Sequence, residues 1–178
     1  TKRLTETWEP FEVQRLVQPW DGQSGELEMC HPPATQQYTM EYMSGANVTA
    51  SNRHAYRLLA SILGDDSGSR MFWSLVDNGR AESASAFTYE YSDCGLFGVF
   101  MACAPEQQNE NWQIVQTLLN QWRQKPIEDR ELELAKNKVC SSIVLSSERP
   151  SNRLFSVGNA WMNRKEYATV SETVQLYR

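Results

Sequence analysis

The side chains in this 178-residue sequence best suited to metal binding or nucleophilic attack are His31, His54, Cys30, Cys94, Cys103 and Cys140. Their spacing suits neither chemistry. Helix-borne zinc sites open with two histidines four residues apart. His54 sits in "HAYR" with no histidine or carboxylate three or four residues on, and His31 lies beside two prolines. The cysteines include no C-x-x-C pair, and at this size and density they read as free thiols rather than a disulfide framework. No metal site and no catalytic residue is expected in this chain.

Other candidates also read as structure. "SSIVLSS" ends an amphipathic pattern, and no G-x-S-x-G elbow exists. The carboxylates of "EDRELE" and "EQQNE" fall at helix starts or beside basic residues, where solvated faces and dipole charges place them. "GDDSGS" lacks the Lys-Ser/Thr of a phosphate loop and follows a helix rather than a strand. The aromatic residues are more informative. Phe87, Tyr89 and Tyr91 alternate on one strand, and Phe97, Val99 and Met101 on the next. Such a pair is either core or a sheet edge or face that accepts an extended peptide by strand addition.

The elements that carry these residues follow from pattern. Residues 1–33 read as a linker and edge segment, with "WEPFEVQRLVQPWDGQSG" irregular and "ELEMC" an edge strand stopped by "HPP". "QQYTMEYMSG" is a strand whose Tyr38, Met40 and Tyr42 form a half-buried side. Ser51 or Asn52 caps a helix that Gly64 stops, and a short helix follows at Met71–Gly79. Strands 81–92 and 95–103 turn at "SDCG". Pro105 opens a helix with Trp112, Val115, Leu118, Leu119 and Trp122 inward, ending before Pro126. "IEDRELELAKNKVCSSIVLSSE" is helical with Leu132, Ala135, Val139 and Ile143 inward, Pro150 starts another helix, and "SETVQLYR" begins a last one. Leu118, Leu119, Val139 and Ile143 are expected against the sheet.

The order β-β-α-α-β-β-α-α-α predicts an α+β domain over residues 34–178. It is a two-layer sandwich, a mostly antiparallel sheet with helices on one face. A net charge of −5 without a basic stripe argues against nucleic acid and against a polybasic membrane contact. No window is long and apolar enough to span a bilayer. The opening Thr, with no leader-like run after it, suggests a fragment of a longer protein, for which a cytoplasmic location is expected.

Three strings resemble the second, non-zinc domain of the M16 peptidases, the family of pitrilysin, insulin-degrading enzyme and the mitochondrial processing peptidases. They are "LLASILGDDSGSRMFWSL", "YSDCGLFGVFMACAPE" and "ELELAKNKVCSSIVLSSERPSNR". The resemblance spans roughly residues 36–178. It implies the substrate-chamber half of a zinc-dependent peptidase, here bacterial, without a catalytic centre of its own. Zinc would belong to a separate N-terminal domain bearing H-x-x-E-H. The implied partners are that zinc-bearing domain or subunit and a peptide substrate, with a homodimer also open.

In active members this half supplies an Arg and a Tyr, the Tyr assisting at the scissile carbonyl. The matching stretch here is "SLVDNGRAES". It sets Glu82 at the Tyr position and Leu75 or Val76 at the Arg position. On this resemblance Glu82, Phe87, Tyr89 and Tyr91 line the substrate, and a catalytically silent scaffold of the same fold is the alternative.

Overall fold

The computed structural model describes residues 2–9, 11 and 22–178. After a one-turn helix, α1 (Lys2–Thr5), the described chain through residue 36 forms no strand. The expected edge strand "ELEMC" is absent: residues 26–30 form no strand and are exposed, Leu27 and Met29 included. Its alternation is real, but no strand among the described residues offers it a ladder, and an unpaired strand has no stability of its own. Most of the expected linker "WEPFEVQRLVQPWDGQSG" lies outside the described residues.

Three strands make the sheet: β1 (Gln37–Ser44), β2 (Ser83–Glu90) and β3 (Gly95–Cys103). All pairs are antiparallel in the order β1-β3-β2, so the last strand in sequence is the middle one in space. The β2–β3 hairpin closes through Tyr91–Cys94, with the Tyr91 N–H donating to the Cys94 carbonyl. Both outer strands have an edge that pairs with no other described strand.

One face of the sheet carries the core. Phe97, Val99, Met101 and Cys103 of β3 point to the same side as Ala84 of β2 and are buried. Against them pack Leu63 from α2 (Arg53–Gly64), Met71 and Leu75 from the following turn, and Val115 and Leu118 from α3 (Gln108–Gln124). The turn is a π-helix, Phe72–Val76, whose Asp77 N–H reaches back to the Phe72 carbonyl. Helix α2 lies so close to β2 that a Cβ on Gly64 would overlap the Ala86 backbone nitrogen. Glycine here is a packing requirement.

Three helices follow: α4 (Asp129–Ser147), α5 (Pro150–Arg164) and α6 (Val170–Gln175). Val139 is buried and Ile143 half-buried, yet α4 packs chiefly on α2, α5 and α6. The inward stripe is as expected, but α4 flanks α2 instead of lying on the sheet. Lys138 holds it there, bonding Asp65 at 2.9 Å and the Ser67 carbonyl at 3.0 Å. A sheet with helices on one face is the α+β architecture the pattern predicts.

Candidate functional site

The outer face of the sheet is built by the strand register. Rows across β1, β3 and β2 read Tyr38–Ala102–Ser83, Met40–Phe100–Ser85, Tyr42–Gly98–Phe87 and Ser44–Leu96–Tyr89. Tyr38, Met40, Tyr42 and Tyr89 are 51% to 63% exposed. Tyr38 stacks on Phe100 at 6.3 Å, Tyr42 meets the edge of Phe87 at 6.1 Å, and Phe87 lies 5.3 Å from Tyr89. At the centre the Phe87 ring rests on Gly98, where any Cβ would collide with it. The missing side chain thus lets Phe87 lie over the middle strand and leaves an aromatic floor of tilted rings in the middle of the sheet.

The strand pair therefore divides its aromatic residues by position. Phe97, Val99 and Met101 are core, whereas Phe87 and Tyr89 point to the opposite face, with Tyr91 beyond them 6.5 Å from Tyr89. Tyr38, Met40 and Tyr42 belong to this outer face too, not to a half-buried side. On β1 the helix-facing set is Thr39, Glu41 and Met43, and the first two meet polar partners on α3, Gln108 and Gln116. Two polar residues on the inward side, beside the core-packed Met43, invert the usual reading of an alternating strand. The signal that could have found it is the matching Gln pair, eight residues apart on α3.

Glu82 stands apart from this cluster. It precedes β2 at the far end of the sheet from Tyr91, exposed, its N–H donating to the Ala102 carbonyl. The chain is fixed just before it. Buried Asn111 donates through Nδ2 to the Arg80 carbonyl at 2.8 Å, and Arg80 bonds Glu110 at 2.6 Å. Gly79, at φ 67°, makes the turn that leads there. Leu75 is fully buried and Val76 packs against the core, so neither position presents a polar group.

The free edge of β2 opens on a groove of about 410 Å³, lined by Ser85, Ala86, Phe87 and Thr88 of the strand and Asp65, Asp66 and Val139 opposite. An extended chain laid there would meet backbone groups along one side and, along the other, a mixed wall of Arg57, Asp66 and the Lys138–Asp65 pair.

Metal donors do not converge. Among the described residues no three His, Cys, Asp or Glu side chains could hold one ion. His31 is exposed. His54 packs edge-on against Tyr177 at 4.9 Å, and burial, with Arg53, Arg164 and Arg57 around it, lowers its pKa to about 4. Its neighbours are cations, which repel a metal ion. A zinc site does not fit the described residues. No helix among them is long and apolar enough to cross a membrane.

Comparisons with known proteins agree with this picture. The family model described as the peptidase M16 inactive domain matches residues 6–139. An uncharacterized zinc protease of Streptomyces coelicolor is 27% identical over 150 residues, covering 84% of this chain and 33% of the relative. One from Mycobacterium leprae is 25% identical over 125 residues, covering 70% and 28%. The chain thus spans about a third of the length of these relatives. Among solved structures, the inactive peptidase domain of a protein described as a zinc protease from Bordetella parapertussis has a TM-score of 0.63 at 19% identity, over 80% of this chain and 84% of that one. Complex III from Candida albicans contains a chain at 0.73 and 14%, over 82% and 37%. These structural likenesses carry the fold alone.

Proposed function

The chain belongs to the M16 peptidase family as one of its inactive domains, and on that premise we propose that it forms the non-zinc wall of a two-domain chamber that encloses an extended peptide. Residues 34–178 form the domain and residues 1–33 the linker and edge segment ahead of it. The observation that carries the proposal is an aromatic sheet face that the described residues leave uncovered, beside a strand edge that no other described strand pairs with. Backbone groups on such an edge bind any extended sequence, and the aromatic residues add apolar contact without demanding one side chain. Phe87, Tyr89 and Tyr91 contact the substrate. Glu82 lies at the end of the track.

Zinc, in this reading, belongs to a homologous M16 domain or subunit facing this sheet, and the chemistry happens there. The wall positions the chain and excludes water from its length. Glu82 bears on how active the assembly is. A donor aimed at a developing oxyanion is commonly worth about 2.7–4 kcal/mol, and a carboxylate in that place supplies none of it. The exposed carboxylate favours a second reading, a silent assembly domain, and peptide cleavage by this chain joined to a zinc-bearing M16 domain separates the two.

The binding claim is tested by hydrogen exchange of this chain with an unfolded peptide titrated in. Amides of Ser83–Glu90 should gain protection, and Phe87→Asp should abolish the gain. Protection elsewhere, or none at saturating peptide, would refute the wall.

A further inference from the structure

Helix α5 has a second apolar face that nothing in the described fold uses. Arg153, Val157, Ala160 and Arg164 form its half-buried side, toward α4 and the segment before α6, where Arg153 donates to the Ala168 carbonyl at 2.9 Å. Leu154, Phe155, Trp161 and Met162 lie away from it and are 56% to 70% exposed. Between the two pairs sits Gly158, where an added Cβ would meet no atom within 4 Å.

The spacing of this stripe is symmetric. Measured from Gly158, Phe155 and Trp161 stand three residues to either side, and Leu154 and Met162 four. A two-fold axis through Gly158, perpendicular to the helix, lays Phe155 on Trp161 of the other copy and Leu154 on its Met162. Each contact occurs twice. An isologous interface requires such self-complementarity. Glycine at the crossing lets the two backbones approach, and positions three and four away are the ones that share a helix face.

The two ends of α5 follow the same axis. Antiparallel helices set opposite dipole ends together.

We propose that α5 pairs antiparallel with α5 of a second copy of this chain about a two-fold axis at Gly158. Eight large side chains at roughly 100–150 Å² each bury about 1,000 Å², the low end of specific interfaces. A contact of that size suits a weak dimer that forms at high protein concentration. It leaves the outer sheet face free and stands independently of the peptide-binding proposal.

Sedimentation of the 178-residue chain tests it. The wild type should be dimeric at about 100 µM and dissociate on dilution. Phe155→Asp and Trp161→Lys should each be monomeric with unchanged circular dichroism. Mixed together, they should recover a heterodimer, because the introduced carboxylate of one variant then faces the introduced ammonium of the other. With Cys30 replaced by Ser, Gly158→Cys should cross-link to itself on oxidation. A monomeric wild type overturns the proposal, as does a dimer that survives Phe155→Asp. Single variants that stay monomeric when mixed overturn the register. Burial of Trp161 within a monomer of a longer form of the protein would also overturn it, since its own chain would then cover the stripe.

Discussion

Arg70 and Glu131 meet as a two-pronged fork, Nε to Oε1 at 2.7 Å and Nη2 to Oε2 at 2.6 Å, across 61 residues of sequence. The pair joins the turn before the π-helix to the first turn of α4. Glu131 also closes a capping box with Glu128, so one carboxylate anchors a tertiary contact and starts a helix. Both side chains are mostly shielded, which separates this pair from surface ion pairs of negligible worth.

Removing the fork should therefore cost stability. Arg70→Ala is expected to lose about 1.5–3 kcal/mol in denaturant unfolding, and Arg70→Lys to recover part of it, since an ammonium cannot make both bonds. The hydrogen bond from Arg70 lowers the Glu131 pKa below its ordinary value. Its stabilisation is thus present above the ordinary carboxylate pKa and lost as pH falls through the lowered one. A wild-type and Arg70→Ala pair that differ equally at pH 7 and at pH about 2 would contradict this assignment.

His54 sets a second pH dependence. Burial and the surrounding arginines hold its pKa at about 4, against an ordinary 6.5. Between those values the unfolded chain binds the proton and the fold does not, so stability is full above the ordinary value and falls as pH drops toward 4. In His54→Phe, which keeps a ring against Tyr177, this part of the pH dependence should vanish. A histidine ring proton titrating near the ordinary value in the folded protein would refute it.

Packing of α2 on β2 makes the sharpest steric prediction. Gly64→Ala should destabilise by about 1–3 kcal/mol, because backbone and not a flexible side chain blocks the new methyl. Leu63→Ala, at a fully buried site, should cost about 2–5 kcal/mol, while Leu134→Ala on the exposed side of α4 should stay within about 0.5 kcal/mol. Equilibrium unfolding of the three variants checks all of these values together.

Much of this architecture is legible in the sequence. The helix stop at Gly64, the hairpin turn at "SDCG", the Pro105 start and the inward stripes of α3 and α4 all follow from local chemistry. The failures among the strands have one cause. "ELEMC" alternates like a strand, but strand existence depends on a partner far away in sequence. Tyr38, Met40 and Tyr42 read as inward because they are apolar, and the fold instead turns Thr39 and Glu41 toward glutamines on α3. Which face of an alternating strand is buried is decided by what packs on it. The outer aromatic floor is half visible for the same reason: Phe87 and Tyr89 stand out, while Gly98 beneath Phe87 reveals its part only through the register.

If this chain is the non-catalytic wall of an M16 peptidase chamber, its effect on a zinc-bearing partner is the thing to measure. Peptide cleavage by a zinc-bearing M16 domain or subunit, in the presence and absence of this chain, tests that most directly. The wall predicts no cleavage by this chain with zinc supplied, little by the zinc domain alone, and cleavage when both are joined. Phe87→Asp with Tyr89→Asp should reduce the joined activity at least about tenfold. Cleavage by this chain alone would contradict the wall, as would a zinc domain equally active without it. A joined assembly that stays inactive with its zinc site filled would favour the silent assembly domain.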